Sequence, residues 1–224
     1  MNPVIVDYGM GNLGSVRRSL EECGARPVVS SDPAVAAGAS CLILPGVGAF
    51  ADGMEHLESR GLAAAVRKAA AEGTPVLGIC LGMQLLAERG FEGGETRGLG
   101  LIPGEVRRLV ADAPGTRIPH VGWNEVSPRG GISPPPPSLF EGIPDRSDFY
   151  FVHSYAFRPA READVAAVTS YCGGFVSAVA SGNVFGVQFH PEKSSKRGFS
   201  LLKNFLLMTP ERNAAVRESE GRPC

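Results

Sequence analysis

One cysteine of this chain lies between two glycines, where an apolar run meets a run of helical periodicity. Residues 78–82 read Gly-Ile-Cys-Leu-Gly, the spacing of a turn that exposes a nucleophile between a strand and a helix. This predicts that Cys80 is a nucleophile at a helix N-terminus, where free N–H groups favour a thiolate. Cysteine is also a common small core residue, so the pentapeptide alone leaves both interpretations open.

A cysteine nucleophile needs a base, and histidine is the usual one. The chain has four histidines: His56, His120, His153 and His190. His190 ends an alternating strand-like run, and Glu192 follows two residues later. On an extended segment this spacing places both side chains on the same side, where the carboxylate can orient the imidazole. Cys80, His190 and Glu192 are therefore a candidate catalytic triad.

The elements that would position this triad form two groups along the chain. In the first half, short apolar runs at 3–7, 26–30, 41–45 and 75–79 alternate with amphipathic segments. Such alternation predicts an α/β domain with a mostly parallel central sheet flanked by helices. Ligands bind at the carboxyl ends of the strands of such a sheet. Cys80 follows one of these strands, so it is expected to lie at the ligand-binding edge.

After Gly98 the strand-like runs are linked by Gly, Pro, Asn and Ser, with little helical sequence between them. This half predicts an antiparallel or mixed extension of the sheet. The proline-rich segment 127–138 is expected to be an exposed loop. A last helix ends near Met208, so we expect a single domain over 1–208 and a polar, flexible tail over 209–224.

Charge and cysteine content exclude several classes of function. The 22 Lys and Arg residues balance 23 Asp and Glu residues with no basic stripe, which argues against nucleic acid as a partner. No apolar stretch approaches the roughly 18 residues that span a bilayer, and no leader is evident, so we expect a cytoplasmic protein without a membrane partner. The five scattered cysteines lack metal-site spacing, so neither a metal nor another cofactor is expected.

The Gly-x-Cys-x-Gly turn and the late His-Pro-Glu together resemble the class I glutamine amidotransferases, whose triad is Cys-His-Glu. The resemblance covers almost the whole chain. Within that class, six motifs resemble the glutaminase subunits of imidazole glycerol phosphate synthases: DYGMGN (7–12), LPGVGAF (44–50), GICLGMQ (78–84), HVGWN (120–124), FVHSY (151–155) and HPEKSS (190–195). The resemblance implies that glutamine is the substrate and is hydrolysed to glutamate and ammonia through a cysteinyl thioester.

The resemblance also implies further residues of the site. The elbow places the backbone N–H of Leu81 to stabilise an oxyanion, and the family adds the loop containing Val47 and Gly48. Because glycines permit a peptide flip, this loop suggests a gate on activity. The substrate contacts implied by the family are Gly46, Gln84, His153, Ser154 and Tyr155.

A partner is implied because the chain has no domain that could use the ammonia itself. The family pairs this subunit, as a heterodimer for histidine biosynthesis, with a (β/α)₈ barrel cyclase. The residues implied at that interface are Asn12, His120, Trp123 and Lys193. Trp123 is the only tryptophan of the chain, and tryptophan is a common interface anchor, although a core position is also open to it.

Three other interpretations remain at this stage. The chain could be the glutaminase of another pathway, such as pyridoxal phosphate synthesis, although FVHSY and HVGWN fit the histidine branch better. An unrelated cysteine hydrolase would leave the His-Pro-Glu motif and the PGVG loop without a reason. A non-catalytic regulatory module is opposed by the fact that every triad position is filled.

Overall fold

The structure is a computed structural model that describes residues 2–129 and 138–208. The predicted tail at 209–224 lies outside the described residues, as does most of the predicted loop at 127–138. The beginning of that loop prediction is wrong, because a strand continues through Pro128. Among the described residues, no helix is both long and apolar enough to cross a membrane.

The chain forms strands and helices in alternation, followed by a run of strands and a last helix. The strands are β1 (Val4–Val6), β2 (Val28–Ser30), β3 (Leu42–Gly46), β4 (Val76–Cys80), β5 (Arg89–Gly90), β6 (Thr96–Arg97), β7 (Gly104–Arg108), β8 (His120–Pro128), β9 (Ser147–His153), β10 (Tyr155–Pro159), β11 (Val165–Thr169), β12 (Phe175–Ser181) and β13 (Val184–Val187). The α-helices are α1 (Leu13–Glu22), α2 (Pro33–Ala37), α3 (Phe50–Ser59), α4 (Leu62–Ala71), α5 (Leu81–Leu85) and α6 (Ser195–Leu207), and short 3₁₀ helices span Glu162–Asp164 and Pro191–Lys193.

A nine-stranded mixed sheet forms the centre of the fold, in the order β2-β1-β3-β4-β13-β12-β11-β8-β9. The strands from β2 to β13 in this order are parallel, and those from β13 to β9 are antiparallel. Every residue of β1, β3, β4 and β13 is buried, as expected of parallel strands covered on both faces. The predicted parallel sheet with an antiparallel extension is confirmed.

Alternation along the parallel strands divides the core between the two faces of this sheet. On one face Ile5 and Ile43 belong to a cluster that includes apolar side chains of α1 and α6. On the other face Leu42 and Leu44 belong to a cluster that includes those of α3, α4 and α5. Burial of these two apolar layers fixes the carboxyl edge of the sheet, where the candidate triad lies.

A second, four-stranded sheet in the order β10-β7-β5-β6 was not predicted. The run 147–155 reads as one strand, but the chain changes sheets at Ser154, so that β9 lies at the edge of the large sheet and β10 pairs with β7. Strands β5 and β6 have only two residues each and leave no recognisable period in the sequence.

Helix α5 is shorter than the helix predicted from its sequence. The carbonyl groups that would continue it are taken by a neighbouring segment, because Leu99 N–H donates to Leu85 and Gly100 N–H donates to Ala87. Gly98 is required for this approach, since a Cβ there would collide with the Ala87 carbonyl oxygen. Tertiary hydrogen bonding therefore overrides helix propensity at this point.

Candidate active site

The turn between β4 and α5 has the geometry of a nucleophile elbow. Cys80 has φ 55° and ψ −110°, a left-handed conformation that is strained for a residue with a side chain. A Cβ on Gly78 would lie 2.6 Å from the carbonyl oxygen of Gly82, and one on Gly82 would collide with the Leu44 carbonyl oxygen. Both glycines are therefore required by close backbone approach.

The strand register places the predicted oxyanion loop beside Cys80. In the β3–β4 pair, Gly46 lies opposite Cys80, so the chain leaves β3 for Val47 directly next to the nucleophile. Val47 is exposed, and Gly48 has φ 117°, a conformation that favours glycine. The roles of Leu81, Val47 and Gly48 as oxyanion donors stay predictions.

His190 and Glu192 form a buried pair at the same edge of the sheet. His190 Nδ1 lies 2.7 Å from Glu192 Oε1, and the two side chains are 3% and 2% exposed. The predicted extended geometry is wrong, because Pro191 begins a 3₁₀ helix that contains Glu192. The tighter turn still brings the carboxylate onto the imidazole.

The environment of His190 raises its pKa from 6.5 to about 9. Burial lowers the pKa, but the interactions of the imidazole with the nearby Cys80 and with Glu192 outweigh it. His190 Nε2 is buried and makes no hydrogen bond of ordinary geometry to the described residues, so this nitrogen is available to exchange a proton with the thiol. The arrangement can hold a thiolate beside an imidazolium.

Replacing Glu192 with glutamine tests the contribution of the carboxylate to this pair. Because the pKa of His190 is raised on folding, the stability from its protonated form is complete below pH 6.5 and lost as the pH rises through about 9. We expect Glu192→Gln to weaken this pH dependence, measured by chemical unfolding at pH 6.5 and 9. The rate of any reaction that uses Cys80 as nucleophile should fall roughly 10²- to 10⁴-fold. An unchanged pH dependence of stability would contradict the assignment.

Three further groups surround Cys80 that the sequence did not indicate. The thiol donates to the Val152 carbonyl oxygen, with Sγ and oxygen 3.8 Å apart, and Gln188 Nε2 lies 3.7 Å from Sγ. The Tyr8 hydroxyl is buried without a hydrogen-bond partner among the described residues. Burial and the nearby Cys80 raise the pKa of Tyr8, so its phenol stays protonated. Of these three groups only Gln188 could have been noticed in the sequence, because it is a polar residue within the apolar run 184–189.

Gln84 is buried rather than exposed on the first turn of α5. Its Nε2 donates to the Tyr155 carbonyl oxygen at 2.9 Å and to Gln188 Oε1 at 3.0 Å. Both amide hydrogens are thus used within the protein, and only the carbonyl oxygen of Gln84 is left to accept a hydrogen bond from a substrate. Its predicted contact with the substrate stays a prediction.

The predicted substrate strand at 153–155 is tied to β8 by two neutral histidines. His153 Nδ1 donates to the Tyr155 carbonyl oxygen at 2.8 Å, and His153 Nε2 lies 3.1 Å from His120 Nδ1. Burial lowers the pKa of each histidine to about 4. Ser154, which links His153 to Tyr155, is partly exposed. Side-chain recognition of glutamine by His153 is not favoured, since its ring is already engaged.

The four residues predicted at a partner interface do not share one environment. Trp123 is 54% exposed, and Asn12 is an exposed cap whose side chain accepts from the backbone N–H of Ser15. Lys193 is exposed, with Nζ 5.6 Å from the centre of the Tyr150 ring. His120 differs from these three, because strand alternation turns it inward, where it is 4% exposed, so its predicted place at the interface would not be a direct surface contact.

A largely exposed patch on β8, β9 and the adjacent 3₁₀ helix lies beside the candidate triad; we call Val121, Trp123, the half-buried Tyr150, Val152 and Lys193 the strand patch. Val121 is 57% exposed and pairs with Val152, and Trp123 pairs with Tyr150. The backbone beneath the patch holds the segment of the candidate base, because His190 N–H donates to the Tyr150 carbonyl oxygen at 2.9 Å. A shift of β9 would therefore change the position of His190 through this hydrogen bond.

Comparisons with known proteins identify the family of the chain. The family model described as glutamine amidotransferase class-I matches residues 4–209. The chain is 52% identical to the imidazole glycerol phosphate synthase subunit HisH of Moorella thermoacetica, covering 92% of this chain and 94% of that protein. It is 47% identical to the protein of the same name from Aquifex aeolicus, covering 92% and 96%.

Solved structures share the fold at lower sequence identity. A crystal structure titled glutamine amidotransferase superposes with a TM-score of 0.70 at 22% identity, covering 91% of this chain and 96% of the other. A structure of PurLQS from Thermotoga maritima gives 0.67 at 21% identity, covering 92% and 97%. The chain therefore belongs to the class I glutamine amidotransferase family and, within it, to the family of imidazole glycerol phosphate synthase subunits HisH.

Proposed function

We propose that this chain is the glutaminase subunit of an imidazole glycerol phosphate synthase and that Cys80, His190 and Glu192 perform its chemistry. The observation that carries the proposal is the strained elbow of Cys80 beside the buried His190–Glu192 pair. The names of the relatives favour this pathway over pyridoxal phosphate synthesis. A thiol on an elbow, a base and an orienting carboxylate are the three parts that nucleophilic hydrolysis of an amide requires.

The proposed reaction has two halves. Cys80 Sγ transfers its proton to His190 and attacks the side-chain carboxamide carbon of glutamine, and the new S–C bond gives a tetrahedral oxyanion. His190 then protonates the departing nitrogen, and the C–N bond breaks. Ammonia departs, and a γ-glutamyl thioester remains on Cys80. In the second half His190 removes a proton from water, which cleaves the thioester to glutamate and restores the thiol.

Oxyanion stabilisation and substrate binding follow from the neighbouring elements. The backbone N–H groups of Leu81 and of the Val47–Gly48 loop are the proposed donors to the oxyanion. Glutamine would lie against Gly46, Gln84 and the backbone of residues 153–155. Because Gly48 can adopt several backbone conformations, we propose that the loop presents its donor fully only in the activated state.

A cyclase partner with a (β/α)₈ barrel is part of the proposal. The strand patch supports it, since it presents an aromatic anchor, two valines and a lysine beside the triad. The backbone link from Tyr150 to His190 gives docking on the patch a direct route to the catalytic base. Such coupling would release ammonia only when an acceptor is bound to the partner. Ammonia released without an acceptor would be protonated in water and would no longer act as a nucleophile.

Two other expectations belong to the proposal. We propose that the enzyme works in the cytoplasm, where the small metabolites of amino-acid synthesis are made. We also propose that residues 1–208 form the amidotransferase domain, which is supported by the two buried clusters that cover both faces of the large sheet in the described residues.

The proposal predicts that glutamate production by the chain depends on its cyclase subunit. We expect the rate from glutamine to rise at least about tenfold when the cyclase and its phosphorylated ribonucleotide ligand are added, which is the usual scale of coupling between sites. Trp123→Ala should weaken cyclase binding by roughly 30-fold or more, as truncation of an interface anchor does.

The matched control for this experiment is Val35→Ala on α2. Val35 is an exposed apolar residue, 39% accessible, that lies on a different element from the strand patch. We expect this variant to bind the cyclase and respond to it as the unchanged chain does. Full glutaminase activity of the isolated chain would contradict the dependence on a partner, and equal losses in both variants would contradict the location of the interface.

A further inference from the structure

Gln188 is a buried polar residue for which the proposed reaction has no use. Its side chain is 0% exposed, and it stands between the end of β13 and His190. Its backbone N–H donates to the Ser177 carbonyl oxygen at 2.9 Å, which fixes its position. A buried amide is normally fully hydrogen-bonded, so the partners of its two ends reveal what it does.

The direction of this amide is set by a chain of hydrogen bonds that begins at Tyr155. The Tyr155 carbonyl oxygen can only accept, so the group of Gln84 that faces it at 2.9 Å must be its amide nitrogen. The same nitrogen also faces Gln188 at 3.0 Å, and it must meet the oxygen of that amide. The nitrogen of Gln188 is therefore left facing Cys80 Sγ, 3.7 Å away.

We propose that the Gln188 amide is a positioning residue that donates a hydrogen bond to Cys80 Sγ and stabilises the sulfur as a thiolate, with Gln84 holding it in that direction. The inference rests on the proposed role of Cys80 as the nucleophile. A donor is the group that a negatively charged sulfur requires, and the bond strengthens when the thiol proton moves to His190. It weakens again when the S–C bond forms and the charge passes to the oxygen of the substrate.

Val152 provides the opposite influence on the same sulfur. Its carbonyl oxygen accepts from the thiol, which favours the protonated form, whereas an amide N–H favours the thiolate. The sulfur thus has one neighbour for each protonation state. Val152 belongs to the strand patch and Gln188 does not, so only the neighbour that favours the thiol lies on the surface proposed to meet the partner.

The test is the rate at which iodoacetamide alkylates Cys80 across a range of pH, with the modified residue identified by mass spectrometry. In Gln188→Leu, which removes the donor, we expect alkylation at neutral pH to slow by about threefold to tenfold, the scale of the net contribution of an ordinary hydrogen bond. The pH at which alkylation is half-maximal should rise. Unchanged alkylation in a folded Gln188→Leu chain would overturn the proposal.

A second variant keeps the test decisive if Gln188→Leu does not fold. Gln188→Glu retains the shape and the oxygen that accepts from Gln84, but its carboxylate faces the sulfur with negative charge. We expect slower alkylation than in the unchanged chain at pH values where the new carboxylate is ionised, and an unchanged rate would again overturn the proposal. The control is Ser177→Ala, because the buried Ser177 hydroxyl has no partner among the described residues and its loss should leave alkylation unaltered.

Alkylation and turnover separate this inference from the proposed function. If Cys80→Ala retained glutaminase activity, the role of Cys80 as nucleophile would fail, whatever the effect of Gln188 on alkylation. If Cys80→Ala were inactive while both Gln188 variants alkylated normally, only the role of Gln188 would fail. For Gln188→Leu we also expect kcat to fall about threefold to tenfold with KM unchanged, since the residue acts on the nucleophile and not on the bound substrate.

Discussion

Cys80→Ala is expected to reduce glutamate production from glutamine by at least about 10³-fold, because no other group can form the thioester. The assay is release of glutamate by the purified chain together with its cyclase subunit and nucleotide ligand. Part of the stability that comes from protonated His190 should be lost, because Cys80 is one of the two groups that raise the pKa of His190. The other contacts of the thiol, to Gln188 and Val152, are long, 3.7 and 3.8 Å. The strain of the positive φ stays in this variant, because alanine keeps the Cβ.

The matched control is Cys172→Ser, at another cysteine in a left-handed conformation. Cys172 has φ 53°, close to the φ of 55° at Cys80, but it lies in the turn between β11 and β12. We expect this variant to keep full glutaminase activity. Comparable activity in Cys80→Ala and the unchanged chain would indicate that Cys80 is only a small core residue. It would favour the interpretation of the chain as a non-catalytic regulatory module.

Gly82→Ala is expected to have the second largest effect, through the elbow itself. The added methyl group would collide with the Leu44 carbonyl oxygen of β3, and a strand backbone in the centre of the sheet cannot move away at low cost. We expect a loss of about 3 kcal/mol or more in the free energy of unfolding. Displacement of Cys80 in whatever folds should lower activity by about 10²-fold.

Gly14→Ala is the control for this substitution. A Cβ at Gly14 would meet no atom within 4 Å, and the position is exposed on α1. Because alanine favours a helix more than glycine does, we expect a gain of about 0.5 to 1 kcal/mol in the free energy of unfolding and unchanged activity. Equal effects of the two substitutions, measured by chemical unfolding, would contradict the steric account of the elbow.

Local sequence predicted the elements whose signals are themselves local. The buried strands β1, β3 and β4 read as continuous apolar runs, and the Gly-x-Cys-x-Gly spacing indicated the elbow because the steric demand acts within five residues. The His190–Glu192 pair was also recognisable from spacing, although the backbone between them is a 3₁₀ turn and not an extended segment. The two side chains still meet in the structure, with His190 Nδ1 2.7 Å from Glu192 Oε1.

Features that depend on distant partners could not be read in this way. The end of α5 is set by hydrogen bonds from residues 98–102, and the change of sheets at Ser154 depends on pairing with β7. The inward orientation of His120 follows from its pairing with His153 across β8 and β9, whereas its motif suggested a surface role. The proposed role of Gln188 depends on its contacts with Cys80 and Gln84, which lie 108 and 104 residues away in the sequence.

The most direct test of the central claim is to trap the group that attacks glutamine. The chain, with its cyclase and nucleotide ligand, would be treated with a glutamine analogue carrying a chloroketone in place of the carboxamide, and the modified peptide identified by mass spectrometry. We predict a single adduct on Cys80 that excess glutamine prevents. An adduct on Cys23 or Cys172 instead, or labelling of Cys80 that glutamine does not slow, would contradict the assignment of Cys80 as the nucleophile of a glutaminase.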